Sequence, residues 1–379
     1  MVPARVAIVG TGNIARIHVA ALRALPGQAD VVAAADVDQT RLAAFSAEHG
    51  ISQQYEDLGE LLRQAKPDLV HLCTPPGLHY RQALSCLREG VSVLVEKPPT
   101  LSLRELDQLT LAEGTRAGTA GPWFAAVFQH RFGSGVRRLQ ALTSAGVLGR
   151  PLLALCHTTW FRDQAYFDVA WRGRWESEGG GPTMGHGIHQ LDLLLAVLGD
   201  WAEVSAVARR QARRMETEDL SLAHVIFSSG AAASVVNSVL SPREESYLRF
   251  DFERATVELT HLYGYDDDDW RVTPAPGHQQ EVLAAWKAGE TGTPSGHGAQ
   301  FAEVLRCLRD ATAPPVTSSS SRRTLSLVAG IYAATFGGHP VRPAEAEVPD
   351  PAVVGQLAVA PAALVGGSAP EIPRPDVRQ

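Results

Sequence analysis

The stretch Arg5-Val-Ala-Ile-Val-Gly10-Thr11-Gly12-Asn13-Ile14-Ala15 decides the fold. Val6 to Val9 are apolar or small without a break, the pattern of a strand buried on both faces. Gly10 and Gly12 then turn the chain into a helix expected over about residues 14–25. The spacing is G-x-G-x-x-A, a dinucleotide fingerprint. Gly10 allows the tight turn, Gly12 lets the backbone approach a pyrophosphate, and Ala15 lets the helix pack closely on the strand. Thr11, Asn13 and Ile14 complete the turn and are expected cofactor contacts. The helix N-terminus offers unpaired N–H groups and a positive dipole end to the phosphates.

Working outward, Asp30 to Asp36 reads as the second strand, and Asp36 ends it 24 residues after Gly12. A carboxylate there accepts bonds from both hydroxyls of an adenosine ribose and repels a 2′-phosphate, which favours NAD. Arg41 lies close enough to keep NADP open, and Asp36 could instead cap the helix starting near Asp38. Asp68 to Cys73 is a further buried strand, ending in Thr74-Pro75-Pro76. A helix is expected from His79 to Glu89, then a strand over 91–95 that runs into Glu96-Lys97-Pro98. Strands alternating with helices at these lengths imply a parallel, doubly wound sheet with ligands beyond the strand ends. Thr74, Pro75, His79 and Glu96 should line the nicotinamide side. Lys97 would sit at the rim of the cleft, its ammonium bonded to a substrate hydroxyl and stabilising developing oxyanion charge. A solvated Lys–Glu pair is the bland alternative.

The glycine turn, the Thr-Pro-Pro-x-x-His segment at 74–79 and the Glu-Lys-Pro triplet at 96–98, in this order, resemble the glucose–fructose oxidoreductase / inositol dehydrogenase / MocA family. The resemblance covers about residues 4–342. It implies a Rossmann domain followed by an α+β domain with a large open, mainly antiparallel sheet. It also implies NAD or NADP and oxidation or reduction of sugars and cyclitols. Lys97 matches the family's catalytic lysine.

The expected domains are 1–128, 129–342 and a tail over 343–379 with seven prolines, read as mobile and able to lie on a neighbouring subunit. In the second domain Arg131 resembles a family arginine near the cleft, or anchors the domain interface. Trp171 and Arg172 suit a sugar site: indole faces stack on sugar rings, and guanidinium bonds hydroxyls or a carboxylate. Packing at an interface explains the tryptophan equally well. Gly179-Gly-Gly181 opens a helix carrying His186, His189 and Asp192. By position His189 matches the family histidine and Asp192 a later acid. The carboxylate expected four residues before the histidine is absent, and Gly185 stands there. His189 titrates near neutrality and can take a hydroxyl proton. His186 could fill the gap left at Gly185, and a metal held by His186, His189 and Asp192 is a minor alternative, although no metal is expected.

Strands are expected over 204–208, 221–227, 232–240, 247–252 and 256–259, a solvated acidic loop over Asp266–Asp269, and helices over 299–309 and 322–334. The formal net charge of −7 leaves no basic surface for nucleic acid. Four widely separated cysteines suggest reduced, buried thiols in a cytoplasmic protein, and neither a leader nor a membrane span is evident. The reading is an NAD-dependent dehydrogenase or reductase of a sugar, cyclitol or related polyol. Its substrate would be that small molecule, and homodimers or homotetramers would form through the second sheet. Two alternatives remain: NAD-assisted glycoside cleavage or epimerisation, and a non-catalytic dinucleotide-binding regulator.

Overall fold

The computed structural model describes residues 2–116, 119–261 and 263–346. The expected tail is therefore described only as far as Ala346, and its remaining residues lie outside the described ones. The first unit is built from β1 (Ala4–Val9), α1 (Asn13–Arg23), β2 (Ala29–Ala35), α2 (Gln39–His49), β3 (Gln53–Tyr55), α3 (Leu58–Ala65), β4 (Leu69–Leu72), α4 (His79–Arg88), β5 (Ser92–Val95), α5 (Leu103–Ala112) and β6 (Phe124–Ala126). The strands form one six-stranded sheet in the order β3-β2-β1-β4-β5-β6, and every pairing is parallel. The order reverses between β1 and β4, so a crevice opens beyond their carboxyl ends.

Local chemistry explains these elements. The last four residues of β1 are fully buried, as an internal parallel strand requires. Gly10 has φ +84°, and a Cβ there would meet Cys73 backbone atoms at 2.8 Å. Asp38 and Asp57 cap α2 and α3 by accepting the backbone N–H of Arg41 and Glu60. Helix α1 starts after Gly12 with no side-chain cap and no acid in its first turn. Its N-terminal N–H groups thus face the crevice without competition.

The second unit contains α6 (Ser134–Ser144), β7 (Pro151–Phe161), α7 (Ile188–Leu198), β8 (Trp201–Arg209), β9 (Leu220–Phe227), β10 (Ala232–Ser238), β11 (Leu240–Phe252), β12 (Ala255–Leu259), β13 (Trp270–Pro274), α8 (Gln279–Ala288), α9 (His297–Asp310) and α10 (Ser318–Gly337). Its seven strands run β8-β9-β10-β7-β11-β12-β13, antiparallel except for the β10–β7 pair. Strand β7 was not expected from sequence, although it lies at the centre of this sheet. It begins at a proline, and consecutive Leu152 and Leu153 are both exposed, which spoils a two-residue alternation. Strand β13 and helix α8 were also not expected, and the single strand expected over 232–240 is two strands parted at Val239.

The acidic loop is more than a solvated turn. Asp267 accepts bonds from Ser134 Oγ at 2.8 Å and Arg138 Nη2 at 2.6 Å, tying the loop to α6. All four cysteines are free and buried. The two units interlock. Phe301, Val304 and Leu305 of α9 join Val6, Ile8, Val19 and Leu22 in one buried cluster, so a helix late in the chain covers the first sheet. The expected break at residue 128 is thus crossed in space.

Candidate active site

A cavity of about 770 Å³ runs from the glycine turn to the second unit. Gly10, Gly12, Asn13, Ile14, Asp36 and Arg41 line one end, Thr74, Pro75, Glu96 and Lys97 the middle, and Trp171, Arg172, Gly185 and His186 the far end. A Cβ on Gly12 would meet nothing within 4 Å, so the space in front of the turn is open for a phosphate group. With the uncapped start of α1, this geometry fits the adenosine diphosphate half of a dinucleotide. Thr11 does not line the cavity. It is fully buried, and its N–H and Oγ both donate to Asp36 Oδ2 at 2.8 Å.

Asp36 sits where the sequence placed it, at the end of β2. The helix cap beside it is Asp38. Arg41 grips Asp36 with two bonds, Nε to Oδ2 at 3.1 Å and Nη2 to Oδ1 at 2.8 Å. Burial alone would raise the Asp36 pKa, but the Arg41 bonds and the N–H donors of Asp38 and Thr11 outweigh it and hold the group ionised.

Lys97 follows β5 and reaches across the cleft, its Nζ donating to the carbonyl of Gly185 at 2.7 Å. A backbone oxygen thus meets the ammonium where the resemblance led us to expect a carboxylate nearby. The Lys97–Pro98 peptide is cis. Burial lowers the Lys97 pKa, with Arg172 acting the same way and Glu96 and Glu178 opposing.

Glu96 is braced from below by two residues the sequence reading did not assign. His18 Nε2 lies 2.9 Å and His297 Nε2 3.2 Å from the same oxygen, Glu96 Oε1. Burial would raise the Glu96 pKa, yet these two bonds pull it well below its ordinary value. The three ligand-type atoms lie within 4.8 Å of one another. Their spacing to the shared oxygen is that of hydrogen bonds, and we read the trio as a brace. His79 is fully buried rather than a cavity wall. Its ring nitrogens lie 2.8 Å from the Pro98 carbonyl and 2.9 Å from the Thr74 carbonyl, so it ties together the two loops at the strand ends.

The helix of the second unit divides the remaining expected residues. A π-helical turn over Thr183–Gly187 precedes α7. His186 reaches the cavity wall, its ring 5.0 Å from that of Trp160. His189 lies one turn deeper and 2% exposed, edge-on to His130 at 5.0 Å and Tyr263 at 5.5 Å. Neither His189 ring nitrogen has a hydrogen-bond partner among the described residues. Burial first, then Lys97, pushes the pKa of both His186 and His189 well below the usual value, so both rings are neutral at pH 7.

Arg131 and Asp192 are placed differently from the sequence expectation. Arg131 Nε donates to Asp192 Oδ2 at 2.5 Å, its Nη2 bonds Oδ1, and Thr324 Oγ1 donates to the same Oδ1 at 2.7 Å. Both partners are consumed by this buried pair, and neither lines the cavity. The same pairing removes Asp192 from a metal set with His186 and His189. The cavity also gains Arg162, Tyr166, Glu178 and Tyr263.

Sequence comparison matches residues 4–119 to the "Oxidoreductase family, NAD-binding Rossmann fold" and residues 136–258 to the "GFO/IDH/MocA C-terminal domain". The chain therefore belongs to the glucose–fructose oxidoreductase / inositol dehydrogenase / MocA family, whose first domain binds NAD. It is 31% identical over 201 residues to D-glucoside 3-dehydrogenase of Escherichia coli, a match covering 52% of this chain and 54% of that enzyme. It is 24% identical to D-apiose dehydrogenase of Paraburkholderia graminis, with 92% of each chain covered. The WlbA dehydrogenase from Bordetella pertussis, solved with NADH and UDP-GlcNAcA, superposes with a TM-score of 0.77 at 26% identity, covering 90% of this chain and 98% of that one.

Proposed function

We propose that the protein is an NAD-dependent dehydrogenase acting on a secondary carbinol of a sugar, cyclitol or related polyol. One observation carries the reading: Lys97 stands in a single cavity with the glycine turn and Asp36 on one side and aromatic and cationic side chains on the other. The family relatives named above, which act on sugars, support the substrate class.

Gly10, Gly12, Asn13 and Ile14 hold the phosphates and Asp36 the ribose, while Thr74, Pro75 and Glu96 frame the nicotinamide. The nicotinamide, when bound, supplies the hydride acceptor. Lys97, kept cationic, orients the substrate oxygen and stabilises the charge that grows on it as the carbon is oxidised. His189 is the proposed acceptor of the hydroxyl proton: it is neutral, has no hydrogen-bond partner among the described residues, and lies one layer behind the cavity wall, so a bridging water carries the proton to it. Buried imidazole nitrogens without partners are costly and suit a proton acceptor. Lys97→Met and His189→Ala should each lower turnover by about 10²–10⁴-fold while NADH still binds. His186→Ala is the control. A loss confined to His186→Ala would move the proton role to that ring, and undiminished turnover in Lys97→Met would remove Lys97 from the mechanism.

A cytoplasmic location is part of the proposal, supported by four cysteines that are free and buried. No described helix is long and apolar enough to cross a membrane. A second copy of this chain is the proposed partner for the open face of the second sheet. Val207 pairs with Leu222 across β8 and β9, while Ile226 and Leu153 flank Ala232 in a neighbouring row. These four large side chains are 41–46% exposed on adjoining strands. An apolar face of this kind is self-complementary across a two-fold axis. Light scattering should give a dimer or tetramer for the native chain and a smaller species for Leu222→Glu.

A further inference from the structure

The substrate end of the cavity is cationic, and a neutral polyol gives no reason for that. Lys97, Arg162 and Arg172 all line it. Of the acids on the cavity wall, Asp36 is held by Arg41 and Glu96 by its two histidines, while Glu56 follows Tyr55, whose carbonyl accepts the Asp36 N–H, at the dinucleotide end. Only Glu178 shares the substrate end, where its Oε2 accepts the Gly173 N–H and its Oε1 lies 3.5 Å from Arg172. Its carboxyl is also pushed up by burial. Arg162 pairs outside the cavity with Glu244, its Nη1 3.0 Å from Oε1, so on the cavity wall itself, at the substrate end, Lys97, Arg162 and Arg172 face the single acid Glu178. The same three cations hold the neighbouring His186 neutral, after burial.

The two guanidinium groups are also built for recognition. The Arg172 guanidinium carbon lies 4.0 Å from the Tyr166 ring centre and 4.3 Å from that of Trp171. The Arg162 carbon lies 4.8 Å from the Trp160 ring and 5.5 Å from the Tyr166 ring. Tyr166 thus serves both. Stacking fixes the planes, so N–H groups that have no partner of their own are held ready for a planar or tetrahedral oxyanion. Arg162 Nη1 donates to the Phe161 carbonyl at 2.6 Å and to Glu244 Oε1 at 3.0 Å, whereas in Arg172 only Nη1 is bonded among the described residues, which leaves its Nε and Nη2 available. Beside Lys97, a Cβ on Gly185 would meet nothing within 4 Å, so there is room for a bulky group near the ammonium.

We infer that the substrate is an anion: a sugar or cyclitol whose carboxylate or phosphate docks on Arg172 and Arg162 while its carbinol reaches Lys97. This rests on the dehydrogenase reading of the same cleft. The oxyanion supplies the charge that the cavity wall lacks, and its bidentate geometry fixes which carbinol faces Lys97.

The test uses the full chain loaded with NADH. Glucuronate and galacturonate, glucose 6-phosphate, and neutral glucose and galactose are titrated separately, following NADH and tryptophan fluorescence. At least one anion should bind about tenfold or more tighter than its neutral parent, and the preference should shrink with added salt. Arg172→Gln and Arg162→Gln should each lower that anion-to-neutral ratio about tenfold, and Arg172→Lys should restore part of it. Uronate preferred over phosphate assigns a carboxylate, and the reverse assigns a phosphate. Equal binding of neutral and charged sugars overturns the inference, as does a preference that survives both glutamine variants. The parent reading fails separately: NADH would not bind before any sugar is added, or no carbinol would reduce NAD although the anion docks.

Discussion

At the scale of single residues, the site is a set of charges held by particular partners. Asp36 illustrates this, because both its oxygens are engaged by donors before any ribose arrives. Arg41 is about half exposed and can swing aside, after which its guanidinium offers a 2′-phosphate a cation and Asp36 offers a ribose an acceptor. Arg41→Ala should therefore raise the NADH-to-NADPH affinity ratio about tenfold, and Asp36→Ser should lower it by a similar factor, read by fluorescence titration. An unchanged ratio in both variants would place the discrimination elsewhere. The lowered pKa values of His189 and Lys97 also set a pH profile. As the proposed acceptor, His189 is lost only when pH falls through its depressed pKa, and the Lys97 charge is lost as pH rises through a pKa below its ordinary 10.5. The rate of substrate oxidation should therefore hold down to pH values below 6.5 and fall on the alkaline side before 10.5. An acid limb at or above 6.5 would exclude His189 as the acceptor.

At the scale of elements, the β1–α1 turn separates folding from binding. Gly10 needs its positive φ, and any Cβ there would press on the Cys73 carbonyl. Gly12 has an ordinary negative φ of −75° and open space in front of it. Gly12→Val should leave the melting temperature within a few degrees of the parent while abolishing NADH binding. Gly10→Ala should lower the melting temperature as well, with a stability loss on the order of 1–3 kcal/mol. If Gly12→Val bound NADH normally, the phosphates would not lie against this turn. The next element with two duties is the start of α7. Its π-helical turn sends His186 to the cavity and leaves His189 behind, a split that no helical repeat in the sequence shows.

At the scale of the whole molecule, many polar groups are buried together. His18, His71, His79, His130, His186 and His189 all have pKa values lowered by burial, that of His130 to about 3. A histidine kept neutral in the fold binds its proton only when the chain unfolds, so acid favours the unfolded state. Each such ring removes up to about 1.4 kcal/mol per pH unit once pH drops below its ordinary value and stops doing so below its folded pKa. Unfolding by denaturant should therefore show stability falling steeply between about pH 6.5 and 5, before most carboxylates titrate. A flat profile there would mean that these rings are not held neutral. The same burial joins the two units: α9 covers the first sheet and places His297 against Glu96, 201 residues earlier in the chain.

The amino-acid order by itself determined the first unit almost completely, because parallel strands buried on both faces and a glycine turn are local patterns. It also placed Gly10, Gly12, Asp36, Glu96 and Lys97 at strand ends, where such sheets hold ligands. The second sheet was legible only in its regular hairpins. Its central strand β7 and the late-chain brace at His297 were not, since strand pairing and long-range contacts leave no periodic mark. Tertiary structure alone decided that Arg131 and Asp192 neutralise each other, that His79 ties loops together, and that Arg162, Arg172 and Tyr166 stack at the substrate end. The physical reason is common to all three. A charged or polar side chain takes its role from whichever partner burial brings within hydrogen-bond or stacking distance, and that partner is chosen by the fold.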